Sequence, residues 1–589
     1  AARSTPQLLK DEDVDFIVYD YLAEITMSIM ARARAKNPDN GYALDFVSAV
    51  MKPNLTEIAR QSVRIISNAG GVNPRACADA LRGVIAELNL DLKVACVLGD
   101  DMIGQRDEIA AQGHKEMFSG DGFPDVSKVA SINAYLGAFP VARALQEGAD
   151  IVITGRSVDS AVTLGACIDA FGWGRGDLNQ LAMGSLAGHI LECGPQATGG
   201  NFTDWELSNN LENIGYPVAE IRQDGSFLCS KPKGTGGLVS VGTIAEQMVY
   251  EIGDPQAYIL PDVICDFSEV ELTQIGKDLV EVKGATGLPA PDSYKVCCTY
   301  ADEFRGGTTM TFYGFDADKK AHKLADAIFA ASRSTLKKMG MSDYSETSVE
   351  LIGAESQYGV NAAVASCREL SMKIAVKHSD PAGIGILLKE CVGLGLATPP
   401  GLSGFQGGRP KPSPVVRLFS FVQPKGSARI QIEIDGTYIE CPDPDGTTLV
   451  REDIIRPAKP KIPEGAEMVE VPLIKLAWGR SGDKGDKANV GIIARQPEFL
   501  PYIYAALSEE VVAQRFSHFL PVDAPNHSAC YVERYLMPGC NGINFLLHQA
   551  LGGGGMARIR NDAQGKGFGQ LMLDASIPVS AEIAEKISQ

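Results

Sequence analysis

The sequence is poor in positive charge and lacks the usual local signatures of metal and nucleotide chemistry. Across 589 residues, Lys and Arg total 54 against 73 Asp and Glu, a net charge of -19. That sign is wrong for tracking a phosphate backbone or an anionic membrane, so no nucleic acid partner is expected and any anionic ligand must be held locally. No run of about 18 apolar residues occurs, so no membrane span is expected. The 13 cysteines include no CxxC pair, which argues against a zinc ribbon or a disulfide framework and fits a reducing compartment. The seven histidines form no HExxH and no i, i+4 pair, so no metal is expected from sequence-local ligands. Neither GxGxxG nor GxxxxGK[ST] is present, which leaves dinucleotide and Walker assignments without support. The chain opens AARSTPQLLK, without Met or an apolar secretory core, and reads as a trimmed or partial mature form.

What is present is a globular composition, 45% apolar and 22% charged, long enough for two to four domains. DFIVYD (Asp15 to Asp20), VRIISN (Val63 to Asn68), LKVACVLG (Leu92 to Gly99) and ADIVITG (Ala149 to Gly155) are nearly continuous apolar runs alternating with helical stretches. That rhythm predicts an α/β fold with a doubly wound, mostly parallel sheet over residues 1–255. Residues 256–458 carry more strands and only two clear helices, near Asp318 to Lys338 and Asp380 to Leu394, which predicts an α+β extension. The Pro-rich, charged stretch Arg456 to Met468 reads as a linker to a smaller α+β domain over 469–589.

In such sheets ligands sit beyond the carboxyl ends of the strands, so the residues following each run are the first candidates. NAGGVNPRA offers Asn68, two glycines for close backbone approach (Gly70, Gly71), Asn73 and, at a helix start, Arg75. Its alternative reading is a βα turn capped by Asn73. TGRSVDSA offers Arg156, Asp159 and Ser160 where strand becomes helix, suited to holding a carboxylate or orienting an acid/base, or simply to an N-cap and ion pair. CGPQATGGNFTDW, with Gln196, Thr198 and Asn201, is too long and polar for a simple turn and reads as a binding loop. In KPKGTGG, Lys233, Gly234, Thr235 and Gly236 could cradle a phosphate or form a turn. FRGG (Phe304 to Gly307) carries a weaker signal of the same kind. In WGRSGDKGDKANVG the polar residues, among them Arg480, Ser481, Asp483 and Lys484, read as a dense loop between apolar strands, a site or an interface. The glycine-rich tract Leu551 to Gly569 reads as a flexible loop. His189 and Cys193 could form a thiol site, but a helical His and a small buried Cys are more often structural.

DYLAEITMSIMARARAK, NAGGVNPRACADALR, TGRSVDSAVTLGACIDAFGW, CGPQATGGNFTDW and WGRSGDKGDKANVGI, in this order, resemble the acyclic terpene utilisation protein AtuA family. The resemblance implies a large core domain followed by a small ferredoxin-like domain. Related proteins begin with a Gly-rich, Ser-containing strand and turn ahead of DYLAE, so that segment is expected to be missing here. The family's pathway degrades citronellol and geraniol through acyl-CoA esters, which implies a branched acyl-CoA or carboxylate as ligand and no certain cofactor beyond a CoA ester. On that basis the chain reads as a hydratase- or lyase-type enzyme with Asp159 as acid/base, Arg156 holding the anion and Asn68 polarising a carbonyl. The alternative is a non-catalytic assembly partner of an acyl-CoA carboxylase. A homo-oligomer is expected, in the cytoplasm, or in the mitochondrial matrix of a eukaryote.

Overall fold

The four apolar runs become strands: Phe16–Tyr19 (β1), Arg64–Ser67 (β2), Val94–Leu98 (β3) and, after Val129–Ala134 (β4), Ile151–Thr154 (β5). In this computed structural model, which describes residues 1–11, 13–364, 366–404, 408–463, 465, 467–555 and 557–587, they pair in parallel in the order β1-β2-β5-β3. Helices cover both faces, which is why β5 can be Ile-Val-Ile-Thr with every side chain buried. A hairpin from much later in the chain, Gln431–Ile434 and Thr437–Glu440, adds antiparallel to β3 and completes six strands.

The second sheet is built on one 21-residue strand, Ser293–Tyr313, flanked by Glu369–His378, Ser413–Pro424 and β4. The sequence pattern predicts two strands here, YKVCCTYA and TMTFYGF, broken at FRGG; the strand instead runs through with an irregularity between Ala301 and Phe304. Its glycines serve close packing and not a turn: a Cβ at Gly307 would lie 2.3 Å from the Ile374 carbonyl oxygen.

The C-terminal domain is a four-stranded antiparallel sheet in a ferredoxin-like arrangement, led by the hairpin Ala477–Lys484 and Lys487–Ala494. The dense polar tract is therefore strand, not loop, and only Gly485 and Asp486 make the turn, with Gly485 at φ +65. Periodicity misses this because the polar side chains face charged groups of the core. Glu464 and Ala466 of the linker and Met556 of the glycine-rich tract lie outside the described residues.

The two domains are clamped together by apolar and polar contacts. Ile493, Met537 and Cys540 join the apolar cluster formed around the helices Leu178–Glu192 and Val241–Met248. Asn489 donates to the Val249 carbonyl at 2.6 Å and accepts from the Glu251 amide at 2.9 Å, while Asn544 donates to the carbonyls of Ile252 and Gly253. Asp204 takes a two-pronged grip from Arg495, both distances 2.6 Å, and a bond from the Trp478 indole. Asn489→Ala strands two buried backbone groups and is expected to cost about 1–3 kcal/mol in urea unfolding; an unchanged midpoint would show that these bonds do not hold the domains together.

Candidate functional site

The turns after β1, β2, β3 and β5 meet at one rim. Asn68, fully buried, donates to Asp20 and accepts from the Tyr21 amide at 2.7 Å, tying the end of β2 to that of β1. Asp100, after β3, accepts from the Arg156 amide and from Asn133, each at 2.8 Å, and burial pushes its carboxyl up to about 7. Gly70 allows the β2 turn to close on β5, since a Cβ there would sit 2.4 Å from the Thr154 carbonyl oxygen. Gly71, at φ +55, closes the same turn on Met30 of the helix Glu24–Lys36.

Arg156 is only 3% exposed and its guanidinium is heavily engaged. It bonds Asp159 at 2.6 Å and the carbonyls of Ser157 and Leu22, and lies 4.1 Å over the Tyr135 ring. The Tyr135 hydroxyl donates to Glu24, which also faces Lys295 at 3.4 Å. Burial alone would raise Glu24, but Lys295, Arg156 and Lys484 outweigh it and hold the carboxyl well below the usual range. Behind these groups a cavity of about 10 Å³, lined by Glu24, Asn133, Tyr135 and Arg156, has room for one water.

The C-terminal hairpin supplies the opposite wall. The Lys484 ammonium lies 3.7 Å from Glu251, which takes Lys566 at the same distance on its other oxygen. Burial disfavours the Lys484 charge, yet Glu251, Tyr258, Asp159 and Glu24 outweigh it and raise its pKa. Burial lifts Glu251 to about 7, with Lys484 opposing and Glu192 and Asp159 adding. Burial and the neighbouring Glu251 lift Asp483 further, to about 8. The Lys484 side chain keeps 41% of its exposure despite these neighbours, so water reaches it. Glu24, Asp159 and Glu251 keep 23–25% of theirs.

Cys193 lies near Glu192, Glu251 and Asp20. Its thiol is pushed up by burial and by Glu192 and Glu251, which keeps it protonated and argues against a thiolate nucleophile. His189 is tied to Glu192 at 3.0 Å and bonds the Met248 carbonyl; burial lowers its pKa, but Glu192 more than restores it. Arg480, 6% exposed, donates to the Asn201 carbonyl and faces Tyr250, and among the described residues its Nε and second Nη atoms have no hydrogen-bond partner.

The structure thus brings Asn68, Arg156, Asp159, Asp483 and Lys484 to one rim, with Arg480 beside it. Gln196 accepts from Asn201, and Thr198 bonds the Gly215 carbonyl, so both shape the loop that carries Cys193. Ser481 bridges the Lys566 carbonyl and the Gly569 amide, and Ser160 packs against Gly188 at the start of a helix. Asn73 caps its helix and holds Pro38 and Asn40, while Arg75 sits outside over Tyr438. The turn with Lys233, Gly234, Thr235 and Gly236 packs on the 209–213 loop, where Gly236 bonds the Asn213 carbonyl. Sequence reasoning missed Asp20, Glu24, Glu192, Glu251 and Lys295. Asp20 was within reach of the strand-end rule; Glu251, held at φ +58 by Asn489, carries no local signal.

Because Asp483 and Glu251 are raised, the folded chain keeps protons that the unfolded chain has released, and their contribution to stability is lost as pH climbs through about 7 to 8. Infrared difference spectra of wild type against Asp483→Asn and Glu251→Gln should show carboxylic-acid bands that vanish near those values. Bands already lost near pH 4, the ordinary range, would contradict the arrangement.

Among the described residues, no three His, Cys, Asp or Glu side chains are placed to hold a metal ion, and no helix is long and apolar enough to cross a membrane. No curated protein and no solved structure matches the chain. Residues 471–578 match the AtuA ferredoxin-like domain, and residues 1–434 match the acyclic terpene utilisation family protein AtuA. With most of its length covered by these two models, the core and the domain that completes its rim, the chain belongs to the acyclic terpene utilisation AtuA family.

Proposed function

We propose that the chain is an enzyme that hydrates or dehydrates a branched, unsaturated acyl thioester of terpene breakdown by proton transfer. The observation that carries this is a pair of carboxyls poised near neutrality, Glu251 and Asp483, with the partly exposed Lys484 ammonium 3.7 Å from Glu251. Glu251, near 7, suits a general base that takes a proton from water as its oxygen attacks the β-carbon. The alkene electrons move to the thioester oxygen, whose negative charge faces Lys484. Asp483, protonated to about 8, returns a proton to the α-carbon, so water adds across the double bond with no redox partner. Asp159, held by Arg156 at 2.6 Å, adds to the negative field that keeps Lys484 charged, and the family's link to acyclic terpenes supports the branched substrate.

Purified chain incubated with branched, unsaturated acyl-CoA esters should give products heavier by one water in mass spectra. Lys484→Met and Asp483→Asn should each lower the rate by about 100-fold or more, and the rate should rise through pH 7 and fall above 8. A panel left unconsumed, or a Lys484→Met variant of full activity, would overturn the reading.

A further inference from the structure

A basic concavity lies beside the glycine-rich tract, lined by none of the residues around Lys484. A cavity of about 710 Å³ opens between the second sheet, at Arg305 and Lys373, and the C-terminal segment holding Arg558 and Arg560, with Lys411 at its rim. In a chain with a net charge of -19, five cations around one hollow is a local reversal of sign.

The carboxylates do not balance them. Lys373 is satisfied by Glu350 at 2.9 Å, and both Glu350 oxygens also accept from the Asn561 amide, which pins the C-terminal segment to the sheet. Asp562 also lines the cavity, but both its carboxylate oxygens accept from backbone amides, those of Lys566 and Gly567. Among the described residues, no carboxylate forms a salt bridge with Arg305, Arg558 or Arg560; their bonds go to the carbonyls of Arg558, Ala550 and His518. Arg558 is 1% exposed and lies 5.4 Å over the Phe519 ring, and its Nε and second Nη atoms have no hydrogen-bond partner among the described residues. Burial, then the like charge of Arg560, lowers its pKa to about 10. A buried guanidinium beside another cation, with two donors unspent, is destabilising unless something negative completes it.

We infer that this cavity is a binding site for a small molecule bearing a pyrophosphate, held by Arg558, Arg560 and Arg305. Planar guanidinium forks match phosphate oxygens two at a time, and the volume is that of a nucleotide-sized ligand. The site takes neither its residues nor its chemistry from the group around Lys484, so either reading can fail alone.

Calorimetry on the full chain with inorganic pyrophosphate, ADP and coenzyme A tests it. Inorganic pyrophosphate should bind, weakening with added salt, and the organic probe that binds more tightly identifies whether a nucleotide or a coenzyme supplies the group. Arg560→Gln, at a partly buried position where the amide can still donate to the His518 carbonyl, should keep the wild-type melting temperature without ligand and lose at least about tenfold in affinity. Arg305→Gln should weaken binding likewise, so the test does not depend on Arg558 variants folding. No binding by any of the three probes, or undiminished binding by both variants, would overturn the inference.

Discussion

Lys484 reaches from the C-terminal hairpin into a group of carboxylates that belong to the core, and the arrangement of the rim depends on that one charge. Asp20, Glu24, Asp159, Glu192 and Glu251 come from four separate stretches, and each raises the proton affinity of at least one neighbour. Like charges at such spacing repel strongly in a partly dry site, so some of the acids must stay protonated or find a cation. Lys484 and Arg156 supply the cations, and burial, with neighbouring carboxylates adding to it, is what leaves Glu251 and Asp483 poised near neutrality.

The same interaction explains why the two domains are joined so firmly. A hairpin that completes a charged site must be placed to within an ångström or so, because Coulomb terms and hydrogen bonds fall steeply with distance. Asn489 bonds the very segment that carries Glu251, and a Cβ at Gly491 would lie 2.2 Å from Val249, so the strand lies flush on that turn. Apolar contact through Ile493 and Met537 provides the area, and the asparagines provide the register.

Much of this was legible in the sequence, and the reasons differ by residue. Asn68, Arg156 and Asp159 stand out in the sequence because they follow apolar strands, whose ends converge in a parallel sheet. Lys484 and Asp483 were found by their density but assigned to a loop, since alternation of polar residues in a strand normally signals water on one face, and here it signals another domain's charges. Glu24 and Glu251 lie at helix ends, where a carboxylate is ordinary, and only the fold reveals what surrounds them. The turn at Thr235 misled because glycines that could cradle a phosphate also permit tight packing: a Cβ at Gly236 would lie 2.1 Å from the Asn210 carbonyl oxygen. Asn68 likewise spends its amide on the backbone and on Asp20, which makes it a brace for the rim.

The most direct measurement is a double-mutant cycle on Lys484→Met and Glu251→Gln, read by urea unfolding of the whole chain. If the hairpin lysine is held by the core carboxylates, the two substitutions are coupled by about 1 kcal/mol or more. Effects that add to within about 0.3 kcal/mol would contradict the account.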